Sequence, residues 1–189
     1  MATPLAQQDL TGKARIRNAA LALYAEHGED GTSMRRTADA AGVTVGLVVH
    51  HFGTKDGLRE AIEDHVVDLF VEAIGSVPDA PDSRAVARER DAAVAEMLAA
   101  NPAVVGYLRR SVLGLAGQRS DLLPRLTELA AQQVSRESRQ AIQVMTRQLG
   151  QLLLQPMIDA MWSQLEGASE DAKPVLVVRV EDAPASSGP

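Results

Sequence analysis

Ser33, Thr44 and Thr54 are hydroxyl residues standing eleven and ten positions apart, and a glycine, Gly42 or Gly53, closes each interval. Ser and Thr side chains accept a hydrogen bond from the amides of a starting helix, and glycine takes the left-handed turn that ends one. The chain from Ser33 to Lys55 is thereby confined to two helices of about two turns each, with a longer one starting at once from Thr54. Met34, Ala38 and Ala41 fall at helical spacing in the first of them. Two short helices across a turn such as Gly42-Val43 form the helix-turn-helix signature, whose second helix enters the DNA major groove. Many small helical bundles carry a turn of the same length.

The same grammar runs through the rest of the chain. Thr11 caps a first helix over about 12–27, with Ile16, Ala20, Leu23 and Tyr24 on one face and Gly28 as its stop. Thr54 caps the fourth, with Asp56 in the first turn, where the dipole favours an acid, and Leu58, Ile62, Val66, Leu69 and Ala73 as its apolar stripe. It stops near Gly75 to Pro78. Ser83 caps a fifth helix, with Val86, Val94, Met97 and Leu98 inward, ending at Asn101. Pro102 opens a sixth as an N1 residue, carrying Val104, Val105, Leu108, Val112 and Leu115 before Gly117. From Asp121 to Leu165 no loop residue interrupts the pattern. One helix of that length would span about 68 Å, against a radius of gyration near 16 Å for a body of this size, so a break is expected at Ser135 to Gln140. A normal turn is missing there, and a loop absent from the given sequence would account for it. Gly167 to Pro189 reads as a tail, within which Val175-Leu176-Val177-Val178 is β-prone and expected to dock.

Apolar residues make up 46% of the 189 and aromatics only 3%, so the core is built from Ala, Leu, Val, Ile and Met, which favours helices. With no cysteine, a disulfide scaffold, a thiolate metal site and a cysteine nucleophile are excluded, and a reducing compartment fits. Lys and Arg number 19 against 25 Asp and Glu, a charge of −6, so any nucleic-acid contact rests on a local arrangement. Met1 to Leu10 lack the pattern of a signal peptide, and no window approaches the ~18 apolar residues that cross a bilayer. A soluble cytoplasmic protein without membrane contact is expected. No G-x-S-x-G, glycine-rich phosphate loop or H-E-x-x-H is present, so neither an enzyme nor a cofactor is expected.

The run Thr32-Ser33-Met34-Arg35-Arg36-Thr37-Ala38-Asp39-Ala40-Ala41-Gly42-Val43-Thr44-Val45-Gly46-Leu47-Val48-Val49-His50-His51-Phe52-Gly53-Thr54-Lys55-Asp56-Gly57-Leu58, preceded by Ala19-Ala20 and Gly28, resembles the DNA-binding domain of the TetR family of bacterial transcriptional regulators. The resemblance covers about residues 12 to 70, and the remainder only by length and helix count. It implies an all-α fold: a three-helix DNA-binding domain with a helix-turn-helix at 10–53, a helical ligand-binding and dimerisation domain at 54–166, and a tail at 167–189. It also implies a ligand-responsive repressor that binds a palindromic operator as a homodimer and is released by a small lipophilic effector. Amides behind Ser33 and Thr44 would hold phosphates. Arg35 matches the position that reaches a base edge or phosphate, with Arg36 beside it. Val45, Gly46, Leu47, Val49 and His50 match the front of the recognition helix, and Lys55 the lysine that holds a phosphate. The family often has Lys at 45, Thr at 47 and Tyr at 49, where Val, Leu and Val stand here. Residues 1–57 carry six basic and six acidic groups, which shifts the expected readout toward thymine methyl groups. A helical protein-interaction module that has lost sequence-specific DNA binding is the alternative.

Ile62, Val66, Leu69, Met97, Val104, Tyr107, Leu108 and Met145 are expected to line a greasy pocket for an apolar or amphipathic effector, with plain core filling as the other reading. Two stripes, Ile142, Met145, Leu149 and Leu152, and Leu154, Ile158, Met161 and Leu165, leave the last helices apolar on more than one side, as a homodimer bundle requires. His50 and His51 point about 100° apart and do not chelate together, so no metal site is expected. His65 reads as a solvated partner of Asp68 among Glu63 and Asp64. Arg109-Arg110 reads as a snorkelling or salt-bridged surface pair.

Overall fold

The computed structural model describes residues 12–80, 83–113 and 120–133, and beyond them only 146–147, 150, 154–155, 158–159, 161–163 and 174–176. Seven helices and no strand occur among these residues: α1 (Gly12–His27), α2 (Met34–Ala41), α3 (Val45–Phe52), α4 (Lys55–Gly75), α5 (Ser83–Ala100), α6 (Pro102–Val112) and α7 (Leu122–Gln133). The chain divides into two compact units, Met1–Leu123 and Pro124–Pro189. The three short N-terminal helices therefore share one unit with α4, α5 and α6. No helix among the described residues is long and apolar enough to cross a membrane.

The spacing of apolar residues decides which face each helix buries. In α1, Ile16, Ala20 and Tyr24 recur every four residues and are 0%, 0% and 1% exposed. Leu21 joins them, whereas Leu23, expected inward, is only half-buried. In α4, Leu58, Ile62 and Val66 are fully buried, and the next inward place goes to Phe70 rather than Leu69. Phe70 continues the four-residue step from Val66 and brings the larger apolar area. Val86 and Val94 of α5 are buried, while Met97 and Leu98 are half-buried. Ser83 lies inside α5 as its first residue. In α7, Leu122, Leu126 and Ala130 recur every four residues and are buried.

Polar bonds hold the ends. The Gly42 backbone, at φ 65°, donates to the carbonyls of Ala38 and Asp39, a left-handed stop that a β-carbon would strain. From α1, Arg15 Nη2 donates to the carbonyl of Ala41 at 2.7 Å, satisfying one of the α2 carbonyls that have no helical partner. The Asp79 carboxylate accepts from Arg90 Nη2 at 2.7 Å, tying the α4–α5 connection to α5.

In the second unit, the Gln155 side chain donates to the carbonyl of Pro174 at 3.0 Å and accepts from the amide of Leu176 at 2.7 Å. One side-chain amide so occupies both backbone groups flanking Val175. This is a docked segment of the β-prone run; Val177 and Val178 lie outside the described residues, as do Ser135 to Gln140 and the rest of the tail.

On α4, His65 is half-buried, and burial, then Arg17, hold its imidazole below the ordinary value of 6.5, against the pull of Asp68 and Glu72. A depressed base stabilises the fold above its ordinary value and loses that contribution as pH falls through it. The wild type should therefore lose more stability than His65→Gln between about pH 7.5 and about pH 5.5 in denaturant melts. Equal losses would show that His65 titrates alike in the folded and unfolded chain.

Candidate nucleic-acid interface

Three hydroxyl caps set the geometry of the N-terminal head, α1 to α4. Ser33 Oγ accepts from the amide of Arg36 at 3.1 Å, Thr44 Oγ1 from that of Leu47 at 3.3 Å, and Thr54 Oγ1 from that of Gly57 at 3.0 Å. Each cap residue has an extended backbone, which turns the chain sharply into the next helix.

Between the second and third caps, α3 is anchored by Val48 and Phe52, 0% and 9% exposed. Their burial turns the opposite face outward: Val45 is 38% and Val49 47% exposed, and Gly46 and His50 are exposed beside them. Leu47 is half-buried. Four of the expected recognition residues therefore share one open apolar face, while Leu47 sits at its margin. The His50 ring meets that of His51 edge-on at 5.3 Å, and His51 meets Phe52 in the same way at 6.2 Å. No group of three His, Cys, Asp or Glu that could hold a metal occurs among the described residues.

Ser33 and Arg35 are exposed at the start of α2, Thr44 is exposed, and Lys55 is half-buried at the start of α4. Arg36 is exposed but turned back: its Nη2 lies 2.6 Å from His27 Nε2, at the end of α1, and its Nη1 donates to the carbonyl of Gly31 at 3.4 Å.

The expected pocket residues divide by depth. Ile62, Val66, Val104, Tyr107 and Leu108 are buried, Leu69 and Met97 are half-buried, and Met145 lies outside the described residues.

The sequence reading missed a buried polar group next to these residues. Glu63, placed on the polar face with His65, is 1% exposed, and its Oε1 accepts from the Tyr107 hydroxyl at 3.2 Å. Arg59, 6% exposed, lies 3.6 Å from Glu63, from Asp56 and from Glu29. Burial acts to lower the Arg59 pKa, but Glu63, Glu29 and Asp56 outweigh it and hold the guanidinium more firmly charged than usual. Burial also pushes Glu29 upward against the pull of Arg59, and raises the Tyr107 phenol, with Glu63 adding to the effect. The available signal was the Arg59 and Glu63 pair at i and i+4, each one position past a member of the Leu58 and Ile62 stripe.

Arg110 corrects the surface reading of Arg109-Arg110. Its Nε donates to the carbonyl of Ala25 at 2.8 Å and its Nη2 to that of Glu26 at 2.5 Å. These carbonyls lie in the last turn of α1, where no further turn supplies donors, and a cation also complements the negative end of the helix dipole.

Residues 16–62 match the profile of "Bacterial regulatory proteins, tetR family". Over 60 residues the chain is 52% identical to the HTH-type transcriptional regulatory protein RaaS of Mycobacterium tuberculosis, covering 32% of this chain and 28% of that protein. Over 76 residues it is 37% identical to the HTH-type transcriptional regulator BetI of Burkholderia thailandensis, covering 38% of this chain and 39% of that one. The matched segments thus span well under half of these relatives, and the likeness is carried by the head. Two solved structures share the fold. A Shewanella sp. PV-4 protein assigned to the tetR family of transcription regulators superposes with TM-score 0.62 at 23% identity, covering 82% of this chain and 90% of that one. The multidrug binding protein EbrR, complexed with imidazole, superposes with TM-score 0.57 at 22% identity, covering 84% and 82%.

Proposed function

Residues 16–62 are a tetR-family regulatory segment, and from that premise we propose that the whole chain is a transcriptional regulator, a repressor that binds a palindromic operator as a homodimer. The observation that carries the reading is the open face of α3. Val45 and Val49 are exposed in a helix whose other face is pinned by Val48 and Phe52, which suits thymine methyl groups in a major groove. In this reading residues 10–53 read DNA, 54–166 form the regulatory and dimerisation part, and 167–189 are a tail. Arg35 supplies the main polar discrimination, Lys55 a phosphate anchor, and the amides behind Ser33 and Thr44 further phosphate contacts.

The test starts by selecting bound fragments from genomic DNA. On the best of them Arg35→Ala should cost about 1 to 3 kcal/mol and relax the preference at one position per half-site. Lys55→Ala should weaken all sequences alike and lower the salt slope by about one unit per subunit. Equal, sequence-independent losses would move the polar readout to Arg36 or His50.

Exposed valines with balanced charge also suit a protein-interaction module. A wild type that shifts no duplex at low salt would decide for that alternative.

The homodimer rests on Leu154 and Met161, large apolar side chains that are 43% and 63% exposed. Two chains burying more than about 1,000 Å² should sediment as a dimer at micromolar concentration, and a monomer there would end that part of the proposal. The effector is apolar or amphipathic, met by Ile62, Val66, Leu69, Met97, Val104 and Leu108; Tyr107 already spends its hydroxyl on Glu63. To release DNA it must bind the DNA-free conformation more tightly than the bound one.

A further inference from the structure

Tyr107 and Arg110 stand three positions apart on α6 and share one side of it. Next to them Gly106 lies so near α1 that a β-carbon there would sit 2.9 Å from the Ala25 β-carbon, so the two helices cross in close contact. Arg110 grips the last turn of α1 through the carbonyls of Ala25 and Glu26. Tyr107 reaches the same region by another route. Its hydroxyl donates to Glu63, Glu63 faces Arg59, and Arg59 faces Glu29 in the loop that follows α1. Two polar connections therefore start on one helix outside the head and end close together just before α2, one on the carbonyls of residues 25–26 and the other on the Glu29 carboxylate. Apolar packing alone would let helices slide past one another, whereas the hydrogen bonds of Arg110, together with the Tyr107 bond that ion pairs at 3.6 Å extend to Glu29, restrain rotation and translation.

We propose that Tyr107 and Arg110 are positioning residues for DNA binding: they register the head against α6, and duplex affinity depends on them although neither touches DNA. The inference rests on the proposed function. The competing role for Arg110 is direct contact with a phosphate, and salt dependence separates the two, because a lost phosphate contact lowers the slope and a lost register does not.

The experiment uses the full chain with Arg110→Gln, Arg110→Lys and Tyr107→Phe. Each is titrated with the duplex recovered by genomic selection over a range of salt, and hydrogen exchange of residues 24–32 is followed without DNA. Arg110→Gln should bind about tenfold more weakly at an unchanged salt slope, a loss worth about one net charge-assisted bond. Arg110→Lys, which keeps the charge and one donor, should recover part of that loss, and Tyr107→Phe should weaken binding in the same direction. Exchange at 24–32 should quicken in both Arg110→Gln and Tyr107→Phe. A slope lowered by about one unit in Arg110→Gln would overturn the inference in favour of phosphate contact. Wild-type affinity in both folded variants would overturn it outright. If the wild type binds no duplex, the proposed function fails on its own, and unchanged exchange at 24–32 would then reject the register as well.

Discussion

Gly57→Ala should destabilise the protein by about 1 to 3 kcal/mol and weaken duplex binding with it, although alanine is the better helix former. Gly57 sits in the first turn of α4, and a β-carbon there would run into the carbonyl oxygen of Phe52, the last residue of α3. That carbonyl has nowhere to go: it accepts from the amide of Thr54 at 2.7 Å, while Thr54 Oγ1 accepts from the amide of Gly57 itself. In an open helix the change from glycine to alanine gains roughly 0.5 to 1 kcal/mol, so a net loss in urea melts would show that the collision outweighs propensity. The displaced part is the end of α3, the helix proposed to enter the groove, hence the coupled loss of binding. A variant as stable as the wild type would mean that the α3–α4 corner yields without cost.

Leu58→Ala should cost about 2 to 5 kcal/mol. Leu58 is 0% exposed at the point where α4 leaves the α3 corner, and removing three carbons there leaves a cavity bounded by helices already fixed by their caps. Val49→Ala is the internal control. At 47% exposure Val49 should change stability by no more than about 0.5 kcal/mol while still weakening DNA binding. Similar stability losses from the two would contradict the orientation of α3.

Most of this fold was legible because its boundaries are local chemistry. Ser33, Thr44, Thr54 and Gly42 act on amides and carbonyls within a few residues, so their spacing shows where α2, α3 and α4 begin or end. The outward face of α3 followed from the resemblance to the TetR DNA-binding domain, except at Leu47, which is half-buried. What stayed hidden depends on residues distant in sequence. Arg110 meets a carbonyl 85 positions away, and Tyr107 meets a carboxylate 44 positions away. An arginine pair near a helix end carries no sign of such a partner. Phe70 in place of Leu69 is a subtler miss, since a small bend or rotation decides between neighbours on a long helix. The role of Gln155 was illegible because an amide that bonds the backbone of a distant segment looks like any other glutamine until residues 174–176 lie beside it.

The long reach of these bonds bears on the order in which the molecule is made. Until synthesis reaches residue 107, α1 to α4 exist with Glu63 lacking its phenol, and until it reaches residue 110 the carbonyls of Ala25 and Glu26 lack their guanidinium. The N-terminal head, α1 to α4, so remains incompletely fastened, and its last two fastenings arrive with α6, some fifty residues after the start of its own final helix. Synthesis through α6 is thereby the step that commits the nascent chain to a head held in a single orientation.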